Sequence, residues 1–165
     1  MTEPKPSTPG RPPLYFEDFT VGMRFVSPTH QLDEGQVTTF ARAFDPQPFH
    51  LDAEAAKATL LEGLAASGWH TAAVSMRLLI DSGLAIAGGI FGAGGELAWP
   101  VPTRPHDVLH VQCDVIGLRL SRSRPDRGIV KVRNETHNQR GEIVQVFTCT
   151  LVVPRRPEGA PVAPR

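Results

Sequence analysis

The chain has 165 residues, enough for one domain with a single sizeable core. Its 17 Lys+Arg balance its 17 Asp+Glu, so the net charge is zero and there is no basic run of the kind nucleic acid or a membrane surface selects. Two cysteines in apolar stretches, Cys113 and Cys149, without CxxC spacing, read as buried free thiols and not as a zinc or redox site. The opening MTEPKPSTPGRPP lacks the apolar core of a secretory signal, and the uncharged runs Gly63–Met76 and Ser82–Gly95 fall short of the roughly 20 apolar residues that span a bilayer. A soluble, cytoplasmic protein is expected.

In chain order, residues 1–13 carry five of the sixteen prolines and 154–165 carry four, so both ends read as disordered tails (1–13 and 155–165) around a folded domain at 14–154. Arg24–Leu32 has no helical period and reads as a strand. Asp33 stands three residues before Gln36, a variant capping box, and Val37, Phe40, Ala41 and Phe44 then mark one face of a short helix. Asp52 caps a second helix, Ala53–Glu62, ended by Gly63.

The stretch Ser67–Ser82 reads as a third helix, uncharged from Ser67 to Met76 and rich in small residues. A helix with no polar face is expected to be buried nearly all round, at the centre of a sheet. The glycine-rich run Gly83–Gly95 lacks the Lys-Ser/Thr ending of a phosphate loop and reads as a flexible connection. Val108–Leu118, Gly128–Asn138 and Glu142–Val153 then read as strands joined by the hairpin turns at 124–128 and 138–141. One strand, a run of helices and a strand meander make an α+β domain, an antiparallel sheet wrapped around a central helix.

The segment Phe44-Asp45-Pro46-Gln47-Pro48-Phe49-His50-Leu51-Asp52 carries the chemistry. Two prolines between helices predict a stiff, non-helical loop, with Asp45 and His50 at its ends. Spacing alone leaves two readings open. Asp45 caps a turn and His50 is an ordinary polar residue, or the two converge on one point as an acid–base pair.

The segment resembles the signature of MaoC-like dehydratases and (R)-specific enoyl-CoA hydratases, Gly-Asp-x-Asn-Pro-leucine-like-His, often followed by an apolar residue and Asp. Asp45, Pro48, His50 and Leu51-Asp52 match it at the right spacing. Tyr15–Gly22 resembles the family's opening, Ala66-Ser67-Gly68-Trp69 the start of its central helix, and Arg104-Pro105-His106-Asp107 its Arg-Pro-Gly-Asp turn. Phe44 stands in place of the glycine, Gln47 in place of the asparagine, and Met76 where some members carry serine.

The resemblance implies a hot-dog fold and the reversible hydration of an enoyl thioester of coenzyme A or acyl carrier protein. It implies a water held by Asp45 and His50, and an oxyanion donor in the Gly68 N–H. Gly68 also has the simpler reading of close helix packing. Gln47, Pro48, Ser67 and Trp69 are the expected substrate-contacting residues. Arg77 and Arg104 are weaker candidates for carrier phosphates. Neither metal nor organic cofactor is implied. His70 is read as a satisfied buried histidine. Edge-to-edge pairing of sheets predicts a homodimer or higher oligomer. A hot-dog thioesterase and a non-catalytic acyl-thioester binder are the competing readings. The former is disfavoured because Asp81, at the far end, is the one acidic residue of the central helix.

Overall fold

A computed structural model describes residues 12–159. Six antiparallel strands, β1 (Arg24–Val26), β2 (His30–Gln31), β3 (Gly92–Ala98), β4 (Val108–Leu120), β5 (Arg127–His137) and β6 (Ile143–Pro154), form a sheet in the order β1-β4-β5-β6-β3, with β2 beside the start of β4. Four helices, α1 (Glu34–Phe44), α2 (Pro48–Leu51), α3 (Ala53–Lys57) and α4 (Gly68–Asp81), lie between β2 and β3. The α+β architecture is the expected one, an antiparallel sheet with α4 packed on it.

Alternation builds the core. Leu109, Val111, Cys113 and Val115 of β4 and Val130 and Val132 of β5 are buried on one face of the sheet, where Leu78 and Leu79 of α4 join them. Both cysteines are free and buried in this layer; burial pushes the Cys113 thiol up to about 12 and the Cys149 thiol to about 11. The hairpin strands match their expected spans within a residue or two at most ends.

Several expectations need correction. The single strand at 24–32 is two, because Pro28 has no N–H to give to a ladder; β1 and β2 pair separately with β4. The glycine run contains strand β3, which has no local strand propensity and is held by its pairing with β6. Gly95 is required there, since a Cβ would stand 2.5 Å from the Thr148 carbonyl oxygen. The helix expected to reach Glu62 stops at Lys57. The reason lies far away in sequence: Arg104 donates to the carbonyls of Leu61 (2.5 Å), Gly63 (2.7 Å) and Leu64 (3.2 Å) and shapes a turn in which Glu62 has φ 54°.

Helix α4 has its expected span, with Ser67 as N-cap, but it is not enclosed on all sides. Trp69, Met76 and Ile80 form an exposed apolar stripe beside strand β3, whose outer edge is unpaired among the described residues. Contacts back to the start of the domain are made by residues past Pro154. Arg155 donates to Glu17 at 2.8 Å, and Arg156 pairs with Asp18 and lies 4.9 Å over the Tyr15 ring. Residues 1–11 and 160–165 of the proline-rich tails lie outside the described residues.

Candidate active site

The site begins where α1 ends. The expected capping box is present: Gln36 N–H donates to Asp33 Oδ1 at 2.7 Å, and Asp33 N–H to Gln36 Oε1 at 3.1 Å. After the eleven residues of α1 the chain leaves the helix at Asp45, whose N–H still bonds to the Ala41 carbonyl. The loop expected between Asp45 and His50 is shorter than its two prolines imply. Pro48 occupies the first position of α2, where a missing N–H breaks nothing, and His50 is carried on that single turn. Asp52 then caps α3 through the N–H groups of Glu54 and Ala55.

This arrangement brings Asp45 Oδ2 to 3.3 Å from His50 Nε2. His50 is buried, with its Nδ1 2.7 Å from the Ala65 carbonyl oxygen. A carbonyl only accepts, so Nδ1 carries a hydrogen, and in the neutral ring Nε2 is left with its lone pair facing Asp45. The carboxylate is fixed just as closely. Ser67 Oγ donates to Oδ2 at 2.7 Å and Gln47 Nε2 to Oδ1 at 2.6 Å. These two bonds, with the nearby imidazole, hold the Asp45 carboxyl below its ordinary 3.8. With the imidazole neutral, the pair presents two adjacent acceptors, a carboxylate oxygen and an imidazole nitrogen. A water that donates one hydrogen to each is the small species that satisfies both.

His50 of this pair lines a cavity of about 930 Å³, with Pro48, Gly68, Thr71, Trp99 and Thr103 among the other lining residues. Gly68 is the first residue of α4, so its N–H belongs to the first-turn donors that have no acceptor within the helix. A Cβ at Gly68 would fall 2.7 Å from two ring atoms of Trp99. The glycine is thus both a close-packing residue and the rim of the cavity.

A family model described as the MaoC like domain matches residues 7–138, most of the chain. The chain belongs to the MaoC-like dehydratase family. A MaoC-like dehydratase from Rhodospirillum rubrum is 58% identical, covering 87% of this chain and 99% of its own, with a TM-score of 0.85. An uncharacterised protein of Bacillus subtilis, YdeM, is 32% identical over 143 residues, 85% of this chain and 97% of its own. The unliganded R-hydratase PhaJ1 of Pseudomonas aeruginosa shares the fold at 24% identity and a TM-score of 0.70, over 92% of this chain and 94% of its own. The expected hot-dog fold is the fold of this family.

Against the family signature, the Phe44 departure is sterically free: the ring is exposed and packs on Phe40 at 5.0 Å. Gln47, in place of asparagine, reaches the Asp45 carboxylate and does not line the cavity. Pro48 lines the cavity; Ser67 donates to Asp45 and is the N-cap of α4. Trp69 is not on this cavity; it lines a second, smaller one, and its ring meets Trp99 edge-on at 5.4 Å. Arg104 is committed to three backbone carbonyls, and Arg77 is exposed and pairs with Asp81 at 2.9 Å. His70 stacks on Phe40 at 4.5 Å; its Nδ1 has no partner among the described residues, and burial holds the ring toward its neutral form. Sequence reasoning missed Trp99, Thr103 and Ala65. They come from irregular connections with no periodicity, and only the folded chain brings them to α2 and α4.

Proposed function

We propose that this protein is a hydro-lyase that interconverts a trans-2-enoyl thioester and its 3-hydroxyacyl thioester, carried on coenzyme A or an acyl carrier protein. The observation that carries the reading is the pair of acceptors, Asp45 Oδ2 and His50 Nε2, 3.3 Å apart, with the imidazole tautomer set by the Ala65 carbonyl. In hydration, the water held by both is deprotonated by His50 Nε2 as its oxygen bonds to C3. The C2–C3 π electrons pass to the thioester, and the developing oxyanion meets the Gly68 N–H at the start of α4, where the helix dipole favours negative charge. The imidazolium, stabilised beside ionised Asp45, then gives its proton to C2. Dehydration reverses each step. The R. rubrum and P. aeruginosa relatives, named as a dehydratase and a hydratase, support the same chemistry.

Thioester hydrolysis fits less well, because the one carboxylate of α4, Asp81, is exposed and paired with Arg77 at 2.9 Å. The unpaired edge of β3 and the adjacent Trp69–Met76–Ile80 stripe suit a second copy of the chain, and we expect a homodimer by sedimentation. The direct test of function is a panel of trans-2-enoyl-CoA thioesters, followed by loss of the enoyl absorbance and by a thiol reagent. Enoyl loss without free thiol is expected. Free thiol in its place would establish a thioesterase, and neither signal a binding protein.

A further inference from the structure

The tautomer of His50 depends on where the Ala65 carbonyl points, and Ala65 lies in the irregular segment between α3 and α4. No helix or strand fixes that carbonyl. Its direction comes from the two peptide groups that flank Ala65, each bonded at both ends. In the 64–65 peptide, the Leu64 oxygen accepts from Arg104 Nη1 at 3.2 Å and the Ala65 N–H donates to the Phe49 carbonyl at 3.1 Å. In the 65–66 peptide, the Ala66 N–H donates to the Thr103 carbonyl at 2.8 Å, and the Ala65 oxygen meets His50 Nδ1 at 2.7 Å. A trans peptide is planar, with its N–H and C=O pointing in opposite directions, so a bond that fixes one end aims the other. Thr103 and Arg104, adjacent in sequence, thus hold one end of each peptide.

The Arg104 side chain does more than this. Nη1 also donates to the Gly63 carbonyl at 2.7 Å, and Nη2 to the Leu61 carbonyl at 2.5 Å, so one planar fork spans residues 61–64. That stretch needs an outside restraint, since Glu62 at φ 54° sits in the left-handed region that a residue with a Cβ disfavours. The arginine is itself anchored. Its backbone N–H donates at 2.8 Å to Oδ2 of Asp107, a buried carboxylate whose Oδ1 is held by Gln139 at 3.2 Å and Arg140 at 3.1 Å. The restraint runs from the residue that precedes β4, through Arg104 and the 61–65 segment, to the imidazole.

We infer that Arg104 is a positioning residue for the reaction: it does not line the cavity, and it holds the Ala65 carbonyl where that oxygen keeps the His50 hydrogen on Nδ1 and leaves the Nε2 lone pair facing Asp45. A mis-aimed carbonyl lets the ring turn or carry its hydrogen on Nε2, which puts a donor where the water's hydrogen must be accepted. Lysine does not replace the arginine, because one ammonium lacks the rigid fork that reaches three carbonyls at once. The inference rests on the hydratase reading for the role of His50, and its test separates the two.

The experiment compares the full chain with Arg104→Ala and the milder Arg104→Lys. It reads imidazole nitrogen NMR at a pH that keeps the ring neutral, with the His50 signals assigned by their loss in His50→Ala, and kcat and KM on trans-2-enoyl-CoA thioesters. Wild type is expected to show Nδ1 protonated and Nε2 bare. Each variant is expected to keep the wild-type circular dichroism and to populate the Nε2–H form or exchange its ring hydrogen faster. Each is also expected to lose about ten-fold or more in kcat, with KM within about three-fold. Shifted His50 signals in a protein that hydrates no substrate would sustain the positioning by Arg104 and overturn the hydratase reading. A wild-type His50 with its hydrogen on Nε2 overturns the inference whether or not either variant folds. So does a folded variant whose His50 signals stay those of wild type, whatever its rate, or one in which they shift while kcat holds. Two variants that both fail to fold would make Arg104 a residue of stability alone, and overturn it as well.

Discussion

Substituting Gly68 by alanine separates the two roles that meet at the start of α4. The added Cβ would lie 2.7, 2.7 and 2.9 Å from three atoms of the Trp99 six-membered ring, well inside ordinary contact. Trp99 cannot yield freely, because its Nε1 is bonded to buried Gln145. Overpacking of this kind costs about 1–3 kcal/mol, and replacing glycine in a helix returns up to about 1 kcal/mol. A net loss of about 1–2 kcal/mol is expected, with each kcal/mol lowering Tm by roughly 2–4 °C in a chain of this size. The assay is urea unfolding at one fixed protein concentration of wild type, Gly68→Ala, Trp99→Leu and the double variant. Trp99→Leu removes the clash, so the double variant should be more stable than the sum of the singles by about 1–2 kcal/mol. A Gly68→Ala protein as stable as wild type, or additive singles, would refute the packing account. If the double variant regains stability but not hydration, the loss lies in how closely the thioester approaches the Gly68 N–H.

Ser67→Ala removes both the α4 cap and a donor to Asp45. It should cost about 1–3 kcal/mol, measured by chemical denaturation. The Asp45 carboxyl is held below 3.8, so the share of that loss due to its ionised form is fully present above pH 3.8. It disappears as pH falls through the folded-state value, leaving the cap's share at all pH. A loss unchanged across that range would contradict the assigned bond. Cys113 and Cys149, buried and with thiols raised to about 12 and about 11, should resist an aromatic disulfide reagent at pH 8 in the native protein and both react once it is unfolded. Rapid reaction of either in the native state would contradict the burial.

Much of this organisation is legible in the sequence because it is local. The Asp33/Gln36 capping box, the uncharged small-residue run from Ser67 and the alternation at Val130–Arg133 each fix an element by its own chemistry. The missing elements are those imposed from elsewhere in the chain. Strand β3 is built of glycines that only β6 makes extended, and the turn after α3 is shaped by Arg104, some forty residues downstream. At the site, the Asp45–His50 segment is readable as a motif. The Ala65 carbonyl that selects the imidazole tautomer and the Trp99 ring that demands glycine at 68 are not, since neither has a local signal.

The roles of Asp45 and His50 are tested most directly by the single-turnover rate of one well-accepted trans-2-enoyl-CoA with wild type, Asp45→Asn and His50→Ala. Each variant should keep the wild-type circular dichroism and lose roughly 10²–10⁴-fold in rate, the usual contribution of a positioned acid–base group. A folded variant of either kind that hydrates within a few-fold of wild type would contradict the assignment of the pair.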